Sequence, residues 1–190
     1  MTQLILGLVL FLGIHSLSIV APQLRERLAG KLGEWPFKGV YSIIAIAGFV
    51  LIIHGYAAAR LEPTVLWVPP QWTVHLTMLL MLPVFPALLA AYLPGRISAA
   101  LVHPMLVAVK AWAVAHLIAN GTLADVLLFG TFLAWAVVDR ISLKRRTPRP
   151  NPRAPASKVN DVIAVVGGLG LYVAFLFWLH AAWFGVALVS

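Results

Sequence analysis

GVYSIIAIAGFVLIIHGYAAA, residues 39–59, runs without one Asp, Glu, Lys or Arg. About 20 apolar residues are what a helix needs to cross the hydrocarbon core of a bilayer, so the stretch reads as a transmembrane helix. Five further apolar stretches flank it, at roughly 3–21, 73–93, 101–119, 122–140 and 161–186. Pro22, Pro36, the Pro69-Pro70 pair, Pro94-Gly95 and Asn120-Gly121 punctuate them, as turn-forming residues should. The expected fold is all-α: one polytopic membrane bundle over residues 1–190, with six transmembrane helices and no internal repeat.

Composition supports this. Of 190 residues, 62% are hydrophobic and 11% charged, against roughly 45–50% and about 25% in soluble domains. So little polar surface cannot coat a small globule, which excludes both a water-soluble domain and a disordered chain. The first stretch has no Lys or Arg before it and Arg25 and Arg27 after it. That is the reverse of a signal peptide's charge order, so a retained helix is expected. The chain has no Cys, which excludes disulfides, thiolate metal sites and a thiol nucleophile.

The net charge of +8 resolves into a topology signal rather than a nucleic-acid footprint. Twelve of the 14 Lys and Arg fall in the first, third and fifth loops, Arg60 falls on the other side, and Lys110 lies inside a span. By the positive-inside rule those three loops face the cytoplasm and both termini lie on the opposite side. Leu24, Leu28 and Leu32 in the first loop recur at helical spacing, which suits a short amphipathic helix in the interface. The fifth loop, about 141–160, is basic and Pro-rich and reads as a flexible connector touching anionic headgroups.

Polar residues inside spans are costly and default to function. All six histidines lie in or at the edges of spans: His15, His54, His75, His103, His116 and His180. His15 and His103 lie toward the cytoplasmic ends of spans one and four, and the others lie near the opposite face. Two axial ligands of one haem approach the iron from opposite sides, so they come from different helices at similar depth. His103 and His116 share one helix, roughly 20 Å apart along its axis, and fail that test. His15 with His103 and His54 with His116 both pass it. His75 and His180 suit interfacial or helix–helix hydrogen bonding. Asn120 stands at i+4 from His116, and Lys110, seven residues after His103, returns to nearly the same helix face. No Asp or Glu lies deep in any span, so imidazole is the principal metal ligand on offer. Gly167-Gly168-Leu169-Gly170 reads as a helix-packing surface rather than a phosphate loop.

Three segments resemble the NnrU family of bacterial membrane proteins, which is related to 15-cis-zeta-carotene isomerase. They are Gly13-Ile14-His15-Ser16; Leu32-Gly33-Glu34-Trp35-Pro36-Phe37-Lys38-Gly39-Val40-Tyr41-Ser42; and His103-Pro104-Met105-Leu106, followed by Trp112, His116-Leu117 and Asn120-Gly121. The resemblance implies a multi-pass protein of the bacterial inner membrane that binds haem b. It implies His15 and His103 as the iron ligands, with Lys110, His116 and Asn120 shaping the cavity. It also implies either isomerase-like chemistry on a lipophilic polyene or a denitrification-linked role toward nitric oxide. The isomerase branch carries an alternative cysteine ligand three residues before the His-Pro histidine; here that position is Ala100. A non-catalytic factor that assembles a respiratory nitrogen-oxide reductase, with a membrane protein partner, is the rival reading. A proton-relay transporter is disfavoured by the short chain and the lack of buried carboxylates.

Overall fold

A computed structural model describes residues 1–146 and 153–189. Among the described residues the chain is helical and forms no β-strand; Val65 and Thr122 make an isolated antiparallel bridge. The elements are α1 (Thr2–Val20), α2 (Pro22–Leu32), α3 (Glu34–Ala59), α4 (Thr73–Met81), α5 (Val84–Ala90), α6 (Arg96–Leu101), α7 (Pro104–Ala119), α8 (Leu123–Ser142) and α9 (Val159–Ala174). A π-helical turn (Phe175–Leu179) continues α9 into α10 (His180–Phe184).

Among the described residues four segments are long and apolar enough to cross a membrane: Thr2–Val20, Glu34–Ala59, Thr73–Ala90 and Val159–Phe184. The fourth expected span differs from its sequence reading. Leu101 ends α6, Val102 and His103 leave helical geometry, and Pro104 starts α7, which has only 16 residues. The third breaks at Leu82-Pro83 into α4 and α5, because proline at position 83 cannot donate to the helix ladder. The fifth corresponds to α8, 20 residues long, whose Asp125, Asp139 and Arg140 lie toward its two ends.

The chain divides into two compact units. The first holds Met1–Val68 and Gly121–Lys144, and within it α1 packs along α3 and against α8. The α1–α3 contact is backbone against backbone. A Cβ on Gly7 would sit 2.6 Å from the Ile52 nitrogen, one on Gly48 would sit 2.7 Å from the Phe11 nitrogen, and one on Gly55 would strike Leu4. In lipid no hydrophobic force drives helices together, so close approach and dispersion must do so, and only glycine permits it here. The expected interfacial helix is α2, which buries none of its residues and ends at Gly33 with φ +86°. Arg25 on α2 lies over the Phe37 ring, 5.1 Å from its centroid. The loop before α4 clamps the start of α8, with Leu66 and Trp67 N–H donating to the Gly121 carbonyl at 2.8 and 3.1 Å.

The N-terminus of α8 carries a capping box. Asp125 N–H donates to Thr122 Oγ1, and the Asp125 carboxylate accepts from Thr122 N–H at 2.9 Å and Thr122 O–H at 2.6 Å. Tyr56 on α3 donates its O–H to the other carboxylate oxygen at 2.5 Å. Asp125 and Asp139 are both buried. The expectation that carboxylates would be absent from the interior is corrected: short polar side chains at helix ends are buried by neighbouring elements while still close to the span termini.

The second unit holds Pro69–Asn120 and Arg145–Ser190. Val84, Ala87 and Ala108 form a core with Met81, Leu88, Leu101, Ala111 and Trp112 against it. Helix α9 packs on α5, where a Cβ on Gly168 would strike the Pro86 backbone, while Gly170 faces open space. Thr77 and Tyr172 tie α4 to its neighbours by donating to the Ala115 and Met78 carbonyls. The Asp161 carboxylate accepts the Arg96 and Ile97 N–H groups at 2.9 and 3.0 Å, and Asn160 Nδ2 donates to the Pro94 and Pro155 carbonyls. Of the basic Pro-rich connector, residues 147–152 lie outside the described residues. Beyond them, Ala154 N–H donates to the Tyr92 carbonyl.

Candidate functional site

His15 is built into the first unit with its ring half-buried. Its Nδ1 lies 2.6 Å from the Phe11 carbonyl, one turn back on α1. A carbonyl oxygen only accepts, so Nδ1 carries the proton and the lone pair is on Nε2. This is the arrangement a metal-ligating histidine uses, with one nitrogen anchored and the other committed. Three aromatic rings fix the imidazole: Phe11 at 4.3 Å between centroids, Tyr41 edge-on at 5.3 Å, and Trp135 edge-on at 6.0 Å with an interplanar angle of 89°. Phe132 and Phe49 back Phe11 from behind. Gly13, expected to admit a close neighbour, has nothing within 4 Å of its would-be Cβ.

His103 belongs to the second unit and is the N-cap of α7, with φ −132° and ψ 69°. Before it, Val102 has φ 61° and ψ −47°, and His103 N–H donates to the Leu101 carbonyl at 2.6 Å. The result is a γ-turn with a β-branched residue at positive φ, a conformation costing roughly 1–3 kcal/mol and found mostly where a side chain must be aimed. Pro104 enforces the start of α7 and denies His103 helical geometry. The expected seven-residue register from His103 to Lys110 therefore does not hold, because His103 stands outside the helix. Lys110 is half-buried within α7 and pairs with none of the described residues.

His116 lies in the last turn of α7, at the opposite end from His103, along a helix of about 24 Å. Its Nδ1 faces the Trp112 carbonyl at 2.8 Å. Asn120 is the C-cap of α7 and donates to the His116 backbone carbonyl at 2.8 Å rather than to its ring. His54 and His75 are exposed, and His180 Nδ1 faces the Val186 carbonyl at 2.9 Å.

Two features escaped sequence reasoning. One is the Val102 turn; the other is Trp135, whose indole nitrogen is buried without a hydrogen-bond partner. Among the described residues no three of His, Asp and Glu gather where they could hold a bare metal ion. The donors on offer are therefore single imidazoles. That set suits an iron whose equatorial ligands come from its own macrocycle, and the ring-lined surroundings of His15 suit a flat apolar group.

Compared with known protein families, the chain matches the family described as NnrU protein over residues 3–188. No curated protein and no solved structure matches it.

Proposed function

The chain belongs to the NnrU family, and on that footing we propose that it is a haem b-binding integral membrane protein with His15 and His103 as the iron ligands. The observation that carries the reading is the His15 imidazole: its Nδ1 proton is anchored on Phe11, which leaves the lone pair on Nε2, and aromatic rings surround it. The strained turn ahead of His103 supports the second ligand. His54 of the alternative pair is exposed and has no such support.

Haem b, if bound there, would supply a redox-active iron. The residues of this chain do the rest. The Phe11 carbonyl holds the His15 tautomer and raises the basicity of Nε2. Phe11, Tyr41 and Trp135 exclude water from the imidazole. Lys110, which pairs with none of the described residues, would face an anionic group of the ligand, and Asn120 holds the end of α7 that carries His116. With no Cys in the chain and Ala100 three residues before His103, a thiolate is not on offer as an alternative ligand. The activity we propose is haem-linked chemistry on a lipophilic polyene or on nitric oxide.

For topology we propose six crossings, with α7 and α8 added to the four long apolar segments. At 1.5 Å per residue α7 spans about 24 Å and α8 about 30 Å, enough for all or most of the hydrocarbon core. Twelve basic residues in loops one, three and five then face the cytoplasm of a bacterial inner membrane, with both termini outside.

Cavity rescue tests the ligands. His15→Gly and His103→Gly should each lose the six-coordinate haem spectrum and regain it with added imidazole, while His116→Gly leaves it unchanged. Unaltered spectra in the first two variants would refute the assignment.

A further inference from the structure

Among the described residues that are not exposed, the indole nitrogen of Trp135 is the one side-chain nitrogen or oxygen closed off from solvent yet lacking a hydrogen-bond partner. Leaving such a donor unpaired in a low-dielectric interior costs on the order of 1–3 kcal/mol. Packing alone does not require it. Phe132, three residues earlier on α8, already makes the apolar contact with Phe11, at 5.7 Å between centroids, and a phenyl ring at 135 would leave no donor stranded. What distinguishes the position is its neighbour: the Trp135 ring stands edge-on to the His15 imidazole. On another side of that imidazole, the Tyr41 hydroxyl also bonds none of the described groups. Tyr41 in turn stacks near Phe37, over which the Arg25 guanidinium lies. Two donors without a partner among the described residues thus flank one ligand-type histidine.

We propose that Trp135 Nε1–H donates to a carboxylate of the tetrapyrrole held by His15. The inference rests on the haem reading above and adds a recognition element to it. The acceptor has to come with the bound group, because none of the described residues supplies one. In haem b the pyrrole nitrogens are occupied by iron and the periphery is hydrocarbon apart from two propionates, so a propionate is the acceptor available.

The test compares haem b with its dimethyl ester, which keeps the iron and the ring but lacks carboxylates. Both are titrated into the full-length apoprotein in detergent. The wild type should bind haem b about tenfold or more tightly than the ester, the scale of one charge-assisted hydrogen bond. Trp135→Phe should weaken haem b binding by about tenfold and change ester binding less than twofold. Retained ester binding also shows that the variant is folded. Equal wild-type affinity for the two porphyrins overturns the proposal without any variant, as does a Trp135→Phe loss that is equal for both or absent. If the wild type binds neither porphyrin, or binding survives loss of His15 and His103, the haem reading itself falls. That outcome differs from all the others.

Discussion

Replacing Gly7 by Ala should pry α1 from α3, while the same change at Gly13, two turns along the same helix, should be tolerated. A Cβ on Gly7 would lie 2.6 Å from the Ile52 nitrogen and 2.8 Å from the Gly48 carbonyl oxygen, whereas ordinary contacts begin near 3.4 Å, so the helices must part by up to about 0.8 Å. The obstructing atoms are backbone and cannot rotate away. Overpacking of this kind costs typically 1–3 kcal/mol, partly offset by the roughly 1 kcal/mol that Ala gains over Gly in a helix interior. A net loss of up to about 2 kcal/mol follows for Gly7→Ala. At Gly13 nothing lies within 4 Å, so Ala there should be neutral or stabilising by up to about 1 kcal/mol. Reversible unfolding of the apoprotein by SDS in mixed micelles, followed by far-ultraviolet circular dichroism, reads both changes on one scale. Equal stability of the two variants would refute the account of the α1–α3 contact.

Three further outcomes are expected. In a double-mutant cycle of Tyr56→Phe and Asp125→Asn, the two losses should couple by about 1–1.7 kcal/mol, the upper range for hydrogen bonds inside membrane proteins; additivity within about 0.3 kcal/mol would show that the 2.5 Å contact contributes nothing. Val102→Gly should raise apoprotein stability by about 1 kcal/mol in the same SDS titration, because glycine adopts positive φ without the clash of a branched Cβ; a destabilised variant would contradict the strain. Asp161→Ala should speed hydrogen exchange at the Arg96 and Ile97 amides, which lose their acceptor, and unchanged protection there would remove its role in holding the start of α6.

Much of this fold is readable from residue spacing. Length and hydropathy locate the apolar helices, since a helix in lipid must satisfy its own backbone over about 20 residues. The glycine contacts are visible as Gly48 and Gly55, seven residues apart on α3, and the capping box as Thr122-x-x-Asp125. The γ-turn before His103 is invisible to hydropathy, because Leu101 and Val102 look like two more residues of span. The one signal available is Pro104, which biases the preceding residue out of helical geometry. Burial of Asp125 and Asp139 depends on what packs against α8, which no local pattern encodes. Trp135 is hidden for a related reason. Hydropathy counts it as one more apolar residue, and only its place beside His15 shows that its N–H is stranded. His15 and His103 were legible as candidates from residue type and depth, but the tautomer that makes His15 ligand-like rests on the Phe11 carbonyl.

The most direct measurement is the reduced-minus-oxidised absorption spectrum of the purified full-length protein. Haem b at about one per chain, with the sharp bands of iron held by two imidazoles, is the predicted result, together with their loss in the His15→Ala/His103→Ala variant. A preparation without haem, or a double variant whose spectrum is unchanged, would contradict the account.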